Sequence, residues 1–101
     1  MKCDLVICLS HLGYKYKEQK ISDVELAKQS LNIDLILGGH THTFIDSPLK
    51  MHNRHGEEIL ICQVGWAGIK LGRVDFYFET SPRKKHVTAS TIKVLTKSRE
   101  I

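Results

Sequence analysis

The sequence predicts an α/β fold, a βαβ unit followed by about three further strands. Two aliphatic runs without alternation, residues 3–9 and 33–37, read as strands covered on both faces. A helix signal lies between them. Beyond residue 70 the pattern alternates, the mark of strands with one solvated face. The 42% apolar and 26% charged composition is that of a globular chain, which sets disorder aside. A length of 101 residues fits one small domain or part of a larger one.

The first strand, CDLVICL, ends at Ser10-His11-Leu12-Gly13, and a charged loop follows over residues 14–20. Ser22 is placed to cap a helix, and Glu25 three residues on completes the pattern of a capping box. Asp23 and Glu25 suit the positive end of the helix dipole. Val24, Ala27 and Leu31 share a helical face, and the helix is expected to stop near Leu31 or Asn32. Residues 33–37 form the second strand, closed by Gly38-Gly39. Strand, helix, strand in that order predicts a parallel pair with its sites at the carboxyl ends. Residues 41–56 read as one long loop. Residues 58–64 read as a strand, broken by Gly65-Trp66-Ala67-Gly68. Residues 71–79 alternate, with Val74, Phe76 and Phe78 predicted on a core face and Arg73, Asp75, Tyr77 and Glu79 opposite. Arg83-Lys84-Lys85 beside Pro82 reads as a solvated loop, and residues 86–95 as the last strand.

Several functions are excluded. The longest apolar run has five residues, too short to cross a bilayer. Asp4 interrupts the N-terminal apolar stretch, so no signal peptide is expected in the chain. The formal charge of +4 is modest and dispersed, and no basic stripe carries aromatics, so no nucleic-acid partner is expected. Cys3, Cys8 and Cys62 read as small buried hydrophobes. Cys3 and Cys8 fall on opposite strand faces, and no C-x-x-C pair suggests a zinc site.

Six histidines divide into two groups. His52, His55 and His86 sit in or beside polar loops and read as exposed. His11, His40 and His42 each lie just past a predicted buried strand, and those strands are expected to be neighbours. Two histidines at i and i+2 share a face if the backbone is extended. Gly38 and Gly39 would let the chain turn sharply there. Three imidazoles at one sheet edge suit Zn, Mn, Fe or Co. Taken singly, each histidine reads better as a hydrogen-bonding cap on a strand end; it is the three together, at two strand ends, that favour a metal. Two-metal hydrolysis needs more, including a bridging carboxylate. Asp4 and Asp34 lie at the wrong ends of their strands, and Asp46 is only near His42 in sequence.

The order Leu9-Ser10-His11-Leu12-Gly13, then Asp34-Leu35-Ile36-Leu37-Gly38-Gly39-His40-Thr41-His42-Thr43, then Gln63-Val64-Gly65-Trp66-Ala67-Gly68 and Leu71-Gly72-Arg73 resembles the calcineurin-like metallophosphoesterases, 5′-nucleotidase branch. The resemblance spans nearly all of residues 3–79. It implies that residues 1–101 are the C-terminal half of a catalytic domain, part of a four-layer αββα sandwich, with no separate nucleotidase C-terminal domain. It implies two divalent ions (Zn, Mn, Fe, Co or Mg) in the complete enzyme. His11 and His40 would hold one ion and His42 the other. The reaction implied is attack of an activated water on a nucleotide phosphate ester. The D-x-H, G-D and G-N-H motifs of the family's N-terminal half are absent from this sequence. No catalytic residue is therefore assigned within the chain, and its substrate contacts stay unassigned. At most one weakly bound ion is expected in the isolated chain, which is expected to be inactive. The partners implied are a nucleotide or other phosphate ester and an N-terminal half of the domain. The alternative is a non-catalytic metal-binding or interaction module that pairs with such a half. A periplasmic or secreted location is what the branch suggests.

Four further aromatic or basic positions have two readings. Trp66 reads as a core or loop-packing aromatic, with a wall of the histidine site as alternative. Tyr14 and Tyr16 read as solvated, and Arg73 as part of an exposed polar face. A half-domain leaves a sheet face and an edge uncovered, so association is expected.

Overall fold

A computed structural model describes residues 3–80 and 83–94. Among the described residues, six strands and one helix follow in the order β1 (Ile7–Leu9), α1 (Asp23–Gln29), β2 (Leu35–Leu37), β3 (Leu49–His52), β4 (Glu58–Cys62), β5 (Lys70–Thr80) and β6 (Arg83–Lys93). The fold is α/β. A four-stranded sheet has the order β1-β2-β4-β3, and β5 and β6 form a separate two-stranded sheet. β1 pairs parallel with β2, and β2 with β4, while β3 runs antiparallel to β4.

Ser22 caps α1 as predicted, its hydroxyl accepting from Glu25 N at 3.2 Å. The reciprocal arm of a capping box is replaced by an ion pair, with Glu25 Oε1 3.5 Å from Lys28 Nζ. The helix ends at Gln29, earlier than expected, because Ser30 leaves the helical region and donates its hydroxyl to Ala27 O at 3.0 Å.

The strand register explains which residues are core. Cys8, Ile36 and Ile61 lie side by side across β1, β2 and β4, and Leu49 and Met51 of β3 stand opposite Ile61 and Ile59. Ala27 of α1 packs with Ile36, Ile59 and Ile61, all four without solvent exposure. Each such isoleucine contributes roughly 1.5–3 kcal/mol by burial. Ile36→Ala would cost about 2–5 kcal/mol.

The opposite face holds Ile7, Leu35 and Leu60 in one row and Leu9, Leu37 and Cys62 in the next. Leu35 and Leu60 are buried, but Ile7 is 47% and Leu9 79% exposed. The expectation of a first strand covered on both faces is thus corrected. The pairing is only three residues long, on an edge, and its outer side is open. A groove of about 380 Å³ on this face is bordered by Ile7, Leu35, Leu37, Val64, Val74 and Ala89.

Other corrections follow. The predicted loop over residues 41–56 contains β3, whose partly buried Leu49 and Met51 alternate with exposed Lys50 and His52. Asn53 and Gly56 form its turn, where Asn53 Oδ1 accepts from His55 N at 2.8 Å and Glu57 N at 3.0 Å. Arg83-Lys84-Lys85 belongs to β6, because the β5–β6 register continues to Thr80 opposite Arg83. Pro82 lies outside the described residues. Phe78, expected on the core face, is 46% exposed. Cys3 is exposed, and Cys8 and Cys62 are half-buried; all three are free thiols. Burial pushes the Cys62 thiol up. No helix among the described residues is long and apolar enough to cross a membrane.

Candidate metal centre

β1, β2 and β4 are parallel, so their carboxyl ends share one edge. His11 follows β1, His40 and His42 follow β2, and Gln63 and Trp66 follow β4. The topology therefore gathers residues from three distant stretches.

His11 and His40 meet. His11 Nε2 lies 3.2 Å from His40 Nδ1, and the rings are edge-to-face with centroids 4.9 Å apart. Both side chains are exposed. His42 takes another direction. Its ring lies nearly parallel to Trp66, at 13° and 6.0 Å between centroids. Trp66 is 56% exposed and lies against the His42 ring, so it is not a core aromatic.

The extended i, i+2 geometry expected for His40 and His42 is corrected. Both have left-handed backbone, with φ of 74° and 54°. Thr41 N donates to Gly39 O at 2.9 Å, which closes a γ-turn on His40 of the rare positive-φ kind. A non-glycine residue held there costs of order 1–3 kcal/mol and persists only where its surroundings dictate it. Neither Gly38 nor Gly39 has positive φ, so the turn is not made by glycine freedom. Gly38 is glycine for space, as a Cβ there would overlap Asp23 Oδ2.

The surroundings are polar and buried. Ser10 N donates to Leu37 O at 2.9 Å, joining the ends of β1 and β2. Ser10 Oγ donates to Asp23 Oδ1 at 2.5 Å and accepts from Leu12 N at 3.2 Å. Asp23 is fully buried, and its Oδ2 has no hydrogen-bond partner. Burial pushes its carboxyl above the ordinary range, and the Ser10 hydroxyl works in the opposite sense. Thr41 Oγ1 accepts from Tyr14 N at 3.1 Å, which ties the loop of His11 to that of His40. Tyr14 also packs on the core, and Tyr16 donates its hydroxyl to Leu12 O at 2.6 Å. The two tyrosines are structural parts of the His11 loop, not solvated bystanders.

The predicted site residues are thus only partly assembled. Among the described residues, no three His, Cys, Asp or Glu side chains gather around one point that could hold an ion. Asp46 is engaged by Lys70 Nζ, and Asp34 Oδ2 accepts from Val6 N at 2.8 Å. His52 and His55 are exposed, and the His86 side chain lies outside the described residues. Arg73 is exposed and its Nε lies 2.9 Å from Asp75 Oδ2, as an outward polar face requires. Sequence reasoning gave Ser10, Asp23 and Gln63 no place in the site. Their only signal was a polar residue beside a buried strand or helix start.

His11 Nε2 and His40 Nδ1 are within hydrogen-bond distance, one ring donating to the other, and the same spacing can be set against that of two ligands on one ion. Two nitrogens on one tetrahedral zinc, each at roughly 2.0–2.1 Å, stand about 3.3 Å apart. The observed 3.2 Å is close to that spacing.

Known proteins share this arrangement of sequence. Over 78 residues the chain is 40% identical to YfkN, a trifunctional nucleotide phosphoesterase protein of Bacillus subtilis, a match covering 77% of this chain and 5% of that protein. It is 32% identical over 92 residues to an apyrase of Tabanus yao, covering 76% of this chain and 16% of the apyrase. The crystal structure of a 5′-nucleotidase precursor from Thermus thermophilus superposes with a TM-score of 0.63 at 22% identity, over 70% of this chain and 16% of that one, which shows a shared fold. The chain belongs to the 5′-nucleotidase-like metallophosphoesterases. No protein-family profile matches it. This metallophosphoesterase chain spans a small part of its relatives, 5% of YfkN and 16% of the Tabanus apyrase. It is a member of a hydrolase family.

Proposed function

We propose that the chain supplies the histidine half of a metal-dependent nucleotide phosphoester hydrolase, with residues 1–101 as the C-terminal half of the catalytic domain. The observation that carries this reading is the 3.2 Å approach of His11 Nε2 and His40 Nδ1 at the carboxyl ends of adjacent parallel strands. Nucleotide substrates are supported by the names of the relatives, a nucleotide phosphoesterase and an apyrase. Export to the periplasm or outside rests on the family resemblance alone.

His11 and His40 would hold one divalent ion, and His42 would take part in holding a second. Zn, Mn, Fe, Co and Mg are the candidates. When bound, the ions supply Lewis acidity toward the phosphoryl group and make water a competent nucleophile near neutral pH. The protein's own work is placement. Ser10 and Asp23 fix the start of the His11 loop, Thr41 ties it to the second loop, and Trp66 backs the His42 ring. The bridging carboxylate and leaving-group acid come from an N-terminal half carrying D-x-H, G-D and G-N-H. The chain by itself does not turn over substrate.

A second reading is a non-catalytic module that only pairs with such a half. The open apolar face of Ile7 and Leu9 favours pairing. One experiment separates the two. The chain is mixed with a recombinant N-terminal half and Mn²⁺, and release of phosphate from a nucleoside monophosphate is followed. Hydrolysis that disappears with His40→Ala supports the hydrolase. A stable complex without hydrolysis selects the pairing module, and absence of any complex overturns both.

A further inference from the structure

We infer that Gln63 is a positioning residue for the His40-Thr41-His42 turn, acting through the Thr43 amide and the Thr41 hydroxyl. The inference rests on the reading that His11 and His40 hold a metal.

Gln63 is the first residue past β4 and is only 2% exposed. Glutamine is seldom buried so fully without a reason. Its Oε1 accepts from Thr43 N at 2.5 Å and from Thr41 Oγ1 at 3.4 Å. Thr43 N can only donate, so the oxygen of the carboxamide must face it. The orientation has a cost, because Nε2 is left buried with no partner. An unsatisfied buried donor forfeits its hydration without recovering a bond. Such a group in a native structure calls for an explanation.

The explanation is the strained segment that the oxygen grips. His40 and His42 flank Thr41 with φ of 74° and 54°. Left-handed backbone is unfavourable for a non-glycine residue, so the turn relaxes unless it is held. Main-chain bonds hold the distal side, with Ile45 N donating to Gln63 O at 3.0 Å and Gly65 N to Thr43 O at 2.8 Å. Neither reaches residues 40–42. The Gln63 side chain does, and Thr41 Oγ1 extends the link to Thr43 Oγ1 at 2.8 Å and to Tyr14 N at 3.1 Å. Gln63 thereby connects the end of β4 to both histidine-bearing loops. Its loss frees His40 to leave His11.

The test uses the full 101-residue chain. Co²⁺ uptake is read by visible absorbance, and stability by thermal unfolding. Gln63→Met keeps the length and removes the acceptor; Gln63→Glu keeps the acceptor and removes the unpartnered N–H groups. Positioning predicts that Met raises the apparent Kd for Co²⁺ by about tenfold, the low end for an outer partner of a ligand. It predicts that Glu stays near wild type in affinity while being the less stable of the two, since it buries a carboxyl. A packing role reverses the affinity order, because affinity would then follow stability. Wild-type affinity in Gln63→Met, or affinity that follows Tm, overturns the inference. If Gln63→Met does not fold, Thr41→Val removes the shared hydroxyl instead, and unchanged Co²⁺ affinity there is equally adverse. If the wild-type chain takes up no Co²⁺, the metal reading fails by itself. Imidazole ¹H–¹⁵N spectra of the metal-free chain then decide. Loss of the His11–His40 hydrogen bond in the variant supports positioning, and its persistence overturns it.

Discussion

The Asp23 carboxylate occupies the space that a side chain on Gly38 would need, which locks the start of α1 onto the end of β2. Asp23 simultaneously accepts from Ser10 at the end of β1. One buried acid thus registers both loops that carry the paired histidines, although it touches neither histidine.

Gly38→Ala is therefore expected to destabilise the chain by about 1–3 kcal/mol through overpacking. Gly39→Ala is expected to shift stability by no more than about 1 kcal/mol. The nearest atom to its added Cβ is His11 Nδ1 at 3.5 Å, an ordinary contact. Urea unfolding of the two variants checks the contrast. Equal losses would mean that the Asp23–Gly38 contact does not matter.

Asp23 makes stability depend on pH. Its carboxyl is raised in the folded chain above the ordinary 3.8, first by burial. The folded state therefore favours the protonated acid. That contribution is complete below the unfolded value and is lost as pH rises through the folded one. Asp23→Asn cannot ionise and keeps an acceptor for Ser10. Its Tm advantage over wild type should be smallest in acid and should grow toward neutral pH. Thermal melts from about pH 3 to about pH 8 test this; a difference that stays constant across the range contradicts it.

The two-plus-one division of the histidines is measurable in metal affinity. His11→Ala and His40→Ala should each weaken Co²⁺ binding by at least the roughly tenfold that loss of an outer partner causes. His42→Ala should leave the first ion's affinity unchanged, because the His42 ring lies against Trp66. Three equal losses in isothermal titration would point to a single three-histidine site instead.

Leu9 is 79% exposed on an open sheet face. Exposed apolar surface of this kind drives association. Leu9→Lys should shift sedimentation toward the monomer and change stability by no more than about 0.5 kcal/mol. Persistent oligomers in that variant would place the sticky surface elsewhere.

Much of the fold was legible because its signals are local. Ser22 and Glu25 mark the helix start in any context, and the helix forms there. The unbroken apolar runs contain β1 and β2, and the alternating runs cover most of β5 and β6, missing the Arg83-Lys84-Lys85 start of β6. β3 was hidden because four residues of alternation beside Pro48 look like loop until β4 supplies their partner. Leu9 and Cys3 misled for a related reason. Apolarity states what a residue tolerates, while burial depends on whether another element covers it.

The parallel βαβ order, the helix cap and the histidines past two strand ends are written in the order of residues alone. Capping, periodicity and connection length act over a few residues, so one chain suffices to read them. That His11 meets His40, that His42 turns to Trp66, and that Gln63 and Asp23 hydrogen-bond to the histidine-bearing loops became visible only in three dimensions. Those outcomes depend on strand register and on left-handed backbone at His40 and His42, which are fixed by contacts among residues tens of positions apart.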